Sequence, residues 1–295
     1  MKIKKILFPT KFRELAFNSL ESLLELKKIG LKEIVLTYVI PRDEVAFVPY
    51  GGYMKDEEER LREQARIRFE DWQQSISTHG IDSTIRIQVG NPIPKIMSIA
   101  EEEKVDMIVA GRKKRTALDK VHVGSHTLNL VRRSSIPVLM SKYMVRFEWE
   151  GELITKVNDH IFTKPLFATD WSKPSEKALE LVSSFKELTD KVMVTHIIGV
   201  KISKSLDKSE LRRIESESKE RLANYCDRLK KAGVKAQPHL FSGRSSAEII
   251  RVAREHKATM IVMGTTGKDR IREFWLGSVS HRVAEASELP VLLVP

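Results

Sequence analysis

Two rhythms of apolar and polar positions alternate along the 295-residue chain. Short apolar runs at Ile6 to Thr10, Ile34 to Ile40, Ser83 to Val89, Val105 to Ala110 and Pro137 to Met140 have the length and side-chain types of buried strands. Between them lie segments of helical character. Leu15, Ala16, Leu20, Leu23, Leu24 and Ile29 recur at helical spacing and predict a helix over Glu14 to Lys28. Further helices are expected from about Lys55 to about Thr78, over Ile93 to Lys104 and over Ser125 to Arg133. Strands alternating with helices predict an α/β fold whose parallel sheet is covered on both faces.

The same order then runs a second time. Gly264 follows Gly111 by 153 positions, and the same offset separates Gly277 from Gly124, Gly243 from Gly90, Pro290 from Pro137 and Ala253 from Ala100. Met107-Ile-Val109 returns as Met260-Ile-Val262, so a tandem duplication accounts for the pattern. Near the front the offset is 159, from Thr10 to Thr169, which makes the second copy six residues shorter; the loss is assigned to the loop after the second strand. The units read as a first domain over residues 1–142, a connecting segment over 143–163 and a second domain over 164–295. In the connector, Val145-Arg-Phe-Glu-Trp149 alternates like a strand and predicts a short strand or an arm across the other domain.

Charge and composition narrow the class. A formal charge of +11 permits contact with polyanions, but 40 acidic residues run through the whole length, so a solvated, charge-rich surface is the simpler reading. Nucleic-acid binding is the weaker expectation, since no reader motif or interleaved aromatics accompany the basic residues. Cys226 stands alone, which excludes an intrachain disulfide, and its charged helical surroundings mark a structural thiol. The first apolar run is too short for a signal peptide and is broken by Pro9, and no stretch reaches the roughly 18 apolar residues of a membrane span. A soluble, cytoplasmic protein is expected. The eight histidines show no metal-binding spacing, and there is no GxSxG elbow or recognisable nucleophile and base set, so no metal ligand or catalytic residue is assigned.

The candidate chemistry lies near the C-terminus, where Met260-Ile-Val-Met-Gly264-Thr-Thr-Gly267 is followed by nine residues and then Gly277-Ser278-Val279. An apolar run that stops at glycine reads as a strand entering a loop, and Gly277-Ser278 as a helix start. Glycine lets the backbone approach a ligand, and a helix N-terminus offers unpaired N–H groups at the positive end of its dipole, which together suit phosphate. No GxxxxGK[ST] loop and no GxGxxG after a strand is present. In a doubly wound sheet ligands gather outside the carboxyl ends of the strands, so Asp170, just beyond Leu166-Phe-Ala-Thr169, is expected across the same crevice. Two readings of Asp170 stand: an acceptor for ribose hydroxyls, or a helix cap shared with Ser172. Lys268, Arg270 and Arg272 likewise read either as phosphate ligands or as solvated loop residues. His126 and His281 follow the glycine loops, within reach of a phosphate, but are not assigned.

The GxxG, nine residues, G[ST] pattern at Gly264, Gly267 and Gly277-Ser278 resembles the nucleotide-binding signature of the universal stress protein family, and the resemblance covers nearly the whole chain as two units. It implies two tandem doubly wound, Rossmann-like domains of the adenine nucleotide alpha hydrolase type, each with a five-stranded parallel sheet of order 3-2-1-4-5. It also implies AMP or ATP at the carboxyl edge, with Mg²⁺ only where ATP is bound. The residues so implicated are Ala168, Thr169, Asp170, Ile197, Met263, Gly264, Gly267, Gly277, Ser278 and Val279, with Ile197 walling the base. A weaker first-domain set is Pro9, Thr10, Val39, Gly111, Gly124 and Ser125, but Lys11 stands where the pattern has Asp170, and Lys114 where it has Gly267. That copy reads as a degenerate pseudo-site, with a site rebuilt for an anion around Arg112, Lys113, Lys114 and Arg115 as the other reading. Pairing through the last strands, Val138-Leu-Met140 and Val291-Leu-Leu-Val294, is expected to make an internal pseudo-dimer, with a homodimer also open. The expected role is a nucleotide-binding stress-response module that is not an enzyme, or at most hydrolyses ATP weakly; a slow ATPase or phosphotransferase is the alternative.

Overall fold

The computed structural model describes residues 2–13, 15–46, 52–111, 125–266 and 276–295. Its first half runs β1 (Lys5–Pro9), α1 (Ala16–Glu21), β2 (Glu33–Ile40), α2 (Lys55–Thr78), β3 (Asp82–Val89), α3 (Pro92–Glu102), β4 (Met107–Gly111), α4 (Ser125–Arg133) and β5 (Val138–Ser141). A hairpin of β6 (Met144–Trp149) and β7 (Glu152–Val157) follows. The second half repeats the order as β8 (Pro165–Ala168), α5 (Lys173–Ser183), β9 (Val192–Gly199), α6 (Val200–Ser205), α7 (Lys208–Lys231), β10 (Ala236–Gly243), α8 (Ser245–Glu255), β11 (Met260–Gly264), α9 (Ser278–Ala286) and β12 (Val291–Val294).

Ten strands form one mixed sheet in the order β10-β9-β8-β11-β12-β5-β4-β1-β2-β3. Pairing is parallel within each half, as crossover helices require. The halves meet where β12 pairs antiparallel with β5, in the register Val291 to Met140, Leu292 to Leu139 and Leu293 to Val138. Alternation along the strands then sorts the core into two layers. Leu139 and Leu292 face the side covered by α1, α2, α5 and α7, and Val138 and Leu293 face the side covered by α3, α4, α8 and α9. Both layers run unbroken from one half into the other.

Three local features differ from the sequence expectation. The helix expected over Glu14 to Lys28 is instead the six-residue α1 followed by a 3₁₀ helix at Leu24–Ile29. The reason lies at its start. In the second half, Ser172 caps α5 and Pro174 occupies its first turn, whereas the equivalent residues are Arg13 and Leu15. Leu15 sits at φ 64° with no side-chain cap bond, so the first-turn support that proline and a serine cap supply is missing. Second, the six-residue deletion is split. Phe8 pairs with Leu36 while Phe167 pairs with Val194, an offset of 158 for the second strands, so one residue is lost before that strand and five after it. Third, the strand expected at Val145 to Trp149 is present as β6, but it has a partner the sequence reading did not foresee: β6 and β7 pair with each other around Glu150 and Gly151, both at positive φ, the turn that suits a two-residue hairpin loop. Its far end is built into the core, with Ile161 and Phe162 fully buried and the Asn158 side chain donating to the Thr259 carbonyl at 3.2 Å.

Leu139 and Leu292 are fully buried at the joint. Leu292→Ala should therefore cost roughly 2–5 kcal/mol, measured as a lower urea midpoint, with both halves losing protection together in hydrogen exchange.

Candidate functional site

Antiparallel pairing at the joint points the carboxyl ends of the two sets of parallel strands toward opposite edges of the sheet, so each half presents an edge of its own. In the second half, β8 ends at Ala168 and the chain turns through Thr169, Asp170, Trp171 and Ser172 into α5. The Thr169 N–H donates to the Thr195 carbonyl at 2.9 Å, and its Oγ1 accepts from the Trp171 N–H at 3.2 Å and the Ser175 hydroxyl at 2.8 Å. Trp171 adopts a left-handed φ of 65°, uncommon for a residue with a side chain. Its ring lies 4.9 Å from His196 and 5.1 Å edge-on from Tyr225, with the Arg221 guanidinium 5.9 Å from its centre. His196 Nδ1 donates to the Thr169 carbonyl at 2.7 Å, so the same imidazole holds both the turn and the ring.

Asp170 and Ser172 connect this turn to the rest of the edge. Asp170 Oδ1 accepts from the Ser172 N–H at 3.1 Å and from the Ser172 hydroxyl at 2.6 Å. Ser172 is the N-cap of α5, and its Oγ also lies 3.1 Å from the Thr266 carbonyl, 94 residues later in the chain. Ser172 is the cap, and Asp170 braces it with one carboxylate oxygen while Oδ2 stands outside those bonds.

The loop after β11 folds back on itself. The Thr265 N–H donates to the Val294 carbonyl at 2.9 Å, and the Thr265 carbonyl accepts from the Gly277 N–H at 2.7 Å and the Ser280 hydroxyl at 2.6 Å. These bonds bring Gly264 to Thr266 beside the start of α9. Gly277 is the helix N-cap, and the N–H groups of Ser278 and Val279 in the first turn have no acceptor within the helix. Ala168, Ile197 and Met263 are buried in one apolar cluster against which Val279 packs. Gly267, Lys268, Arg270 and Arg272 lie outside the described residues.

Two of the glycines are also sites of close approach within the chain itself. A Cβ on Gly264 would lie 2.9 Å from Pro174 Cβ and 3.0 Å from the Ser175 nitrogen, and one on Gly277 would lie 3.2 Å from the Thr265 carbonyl oxygen. Both make room for the chain's own backbone. The first turn of α9, with its dipole, presents N–H groups of the kind that suit an anion.

The first half repeats the turn with other residues. The Thr10 N–H donates to the Thr37 carbonyl at 2.9 Å, and Thr10 Oγ1 accepts from the Phe12 N–H at 2.9 Å, with Phe12 at φ 51°. Phe12 lies 5.5 Å from both Tyr38 and Trp72, with Arg68 at 5.3 Å. Arg68 and Arg221, like Trp72 and Tyr225, are 153 positions apart, so the whole aromatic clamp is duplicated. The sequence reading missed it, although that offset carried the signal. Pro9 ends β1, Val39 is buried on β2, and Gly111 ends β4 with the Thr127 hydroxyl 3.5 Å from its carbonyl. Among the described residues, a Cβ on Gly111 would meet nothing within 4 Å. Residues 112–124, with Lys114 and Gly124, lie outside the described residues, as do the side chains of Ser125 and His126.

Remaining candidates are quiet. His281 faces Glu285 on its own helix, with Nδ1 at 3.5 Å. Cys226 is buried, and burial pushes its thiol up to about 11, which keeps it protonated and unreactive near neutral pH. Among the described residues no three His, Cys, Asp or Glu side chains gather to hold a metal, and no helix is long and apolar enough to cross a membrane.

The contrast between the glycines is testable. Gly264→Ala should destabilise by roughly 1–3 kcal/mol through overpacking against α5, whereas Gly111→Ala should be neutral or stabilise by up to about 1 kcal/mol, both read from urea unfolding.

Comparison with known proteins supplies the context. The model of the universal stress protein family matches residues 2–142 and again 162–295. A universal stress protein of Methanocaldococcus jannaschii is 32% identical over 153 residues, which cover 47% of this chain and 94% of that protein. The crystal structure of a universal stress protein from Archaeoglobus fulgidus superposes with a TM-score of 0.73 at 24% identity, covering 100% of this chain and 99% of that one. A structure of such a protein from Pseudomonas aeruginosa, described as putative in that family, gives 0.63 at 16% identity over 99% and 93%. The last two show a shared fold.

Proposed function

The chain belongs to the universal stress protein family, and from that premise we propose that it binds one adenine nucleotide, AMP or ATP, at the carboxyl edge of its second half and acts as a binding or regulatory module. The observation that carries this reading is the Ser172 hydroxyl, which reaches both Asp170 Oδ1 and the Thr266 carbonyl. It joins a carboxylate suited to ribose to the glycine loop whose pattern resembles the family's nucleotide signature. Each part then has a chemical task. Asp170 Oδ2 accepts from ribose hydroxyls, which are donors a carboxylate matches. The Ser278 and Val279 N–H groups and the helix dipole take phosphate charge. Ala168, Ile197, Met263 and Val279 offer apolar contact to the base, and Mg²⁺ accompanies the ligand only as part of an ATP complex.

Titration calorimetry tests the assignment. Asp170→Ala should weaken ATP binding by roughly 10- to 100-fold, the worth of a hydrogen bond to a charged group. The analogue lacking both ribose hydroxyls should lose a similar factor against the unmodified chain and nothing further against the variant. Equal affinity of the two proteins for ATP would contradict the role given to Asp170.

A further inference from the structure

Asp170 lies between two elements that a single side chain holds. Tyr225, on α7, is 5% exposed, and its ring stands edge-on to Trp171 at 5.1 Å and parallel to Phe167 of β8 at 6.1 Å. Its hydroxyl donates to Glu176 Oε1 in the first turn of α5, the helix that Ser172 caps. Arg228, three residues further along α7, donates from Nη1 to Glu176 Oε2 at 2.8 Å, and its guanidinium lies 5.3 Å from the centre of the Tyr225 ring. Beside Glu176, the Ser175 hydroxyl donates to Thr169 Oγ1 at 2.8 Å. One phenol thus fixes the residue after Asp170 through its ring and the helix whose cap Asp170 braces through its oxygen. Burial, and after it the bond to Glu176, raises the phenol above its ordinary value, so it stays a donor throughout the physiological range.

The duplication supplies a comparison within the chain. At the offset of 159, Phe167, Ser175 and Glu176 correspond to Phe8, Ala16 and Phe17; at 153, Tyr225 and Arg228 correspond to Trp72 and Ser75. Phe8 lies 6.2 Å from Trp72 much as Phe167 lies 6.1 Å from Tyr225, so the two rings fill the same place. What changes is their outer contact. Phe17 meets Trp72 ring to ring at 5.3 Å, where Glu176 meets the Tyr225 hydroxyl. Filling the space does not require the polar version, since the first half does it with hydrocarbon. A buried hydroxyl costs desolvation unless it is matched, and what a hydrogen bond adds over apolar contact is direction. The polar set stands in the half whose turn carries Asp170, and the apolar set in the half whose turn carries Lys11.

We infer that Tyr225 is a positioning residue for Asp170: its hydroxyl, held by Glu176, fixes the turn after β8 against α5 and so sets how Asp170 Oδ2 is presented to a ribose hydroxyl. The ligand part of this inference rests on the nucleotide reading, and the part that concerns the turn does not.

Two variants of the full chain separate these parts. Tyr225→Phe keeps the ring and removes the hydroxyl, and Glu176→Gln keeps an acceptor for it. Without ligand, amide exchange followed by NMR should rise at Trp171 and Ser172 by roughly three- to tenfold in Tyr225→Phe and stay near the unmodified rate in Glu176→Gln, with the amides of β12 unchanged in both. Calorimetry then compares ATP with the analogue lacking both ribose hydroxyls. Tyr225→Phe should weaken ATP binding by roughly three- to tenfold, leave the analogue unchanged, and cost nothing further once Asp170→Ala is present. A role in general stability would move both ligands alike. Unchanged exchange overturns the inference and leaves the nucleotide reading standing, and so does an equal loss for both ligands or an ATP affinity that ignores the hydroxyl while still depending on Asp170. If the unmodified chain binds no nucleotide, or Asp170→Ala binds it equally, the nucleotide reading falls and exchange at Trp171 and Ser172 alone decides this one: faster exchange upholds it and an unchanged rate removes it.

Discussion

The antiparallel pairing of β5 with β12 is the constraint from which the rest of the architecture follows. Three residue pairs turn two five-stranded parallel sheets into one of ten, with Leu139 and Leu292 in one core layer and Val138 and Leu293 in the other. A parallel sheet requires both faces covered, and the joint lets two sets of helices cover one continuous sheet. It also sets the polarity of the molecule. Because the strands reverse direction there, the two carboxyl edges face apart, and each is free to change without disturbing the other.

At each edge the determining element is a single turn. A threonine hydroxyl holds the next N–H but one, an aromatic residue accepts positive φ, and rings with an arginine clamp it, His196 and Tyr225 on Trp171 and Tyr38, Phe69 and Trp72 on Phe12. Positive φ at a non-glycine residue is costly unless its surroundings over-determine it, and such residues concentrate at ligand sites. The clamp is what over-determines it here. What differs is the pair of residues riding on the turn. With Asp170 and Ser172, the turn reaches across to Thr266 and draws α5 over Gly264. With Lys11 and Arg13 there is no serine cap or first-turn proline, and α1 starts late and short.

Much of this was legible in the chain itself. Strand positions such as Ile34 to Ile40 and Met260 to Val262 follow from apolar runs, and the duplication follows from the 153-residue offset, because both are properties of local pattern. Residues far apart in sequence were harder. That Ser172 reaches both Asp170 and the carbonyl of Thr266 could not be read from local pattern. Gly264 and Gly277 mark close approach in the sequence, and the neighbours Pro174 and Thr265 come into view only with the fold. The Trp171 clamp escaped notice since its members come from the turn after β8, from β9 and from α7, with no shared local spacing.

In this chain of the family, the two carboxyl edges differ in the residues that ride on the first turn, Asp170 and Ser172 on one and Lys11 and Arg13 on the other. The central proposal is that an adenine nucleotide belongs to the second edge alone. Hydrogen exchange read by mass spectrometry, at an AMP concentration that half-saturates the protein, tests it most directly. Protection should concentrate in Ala168 to Ser172 and in the first turn of α9, with Pro9 to Arg13 unchanged; equal protection at both edges, or protection of the first alone, would contradict it.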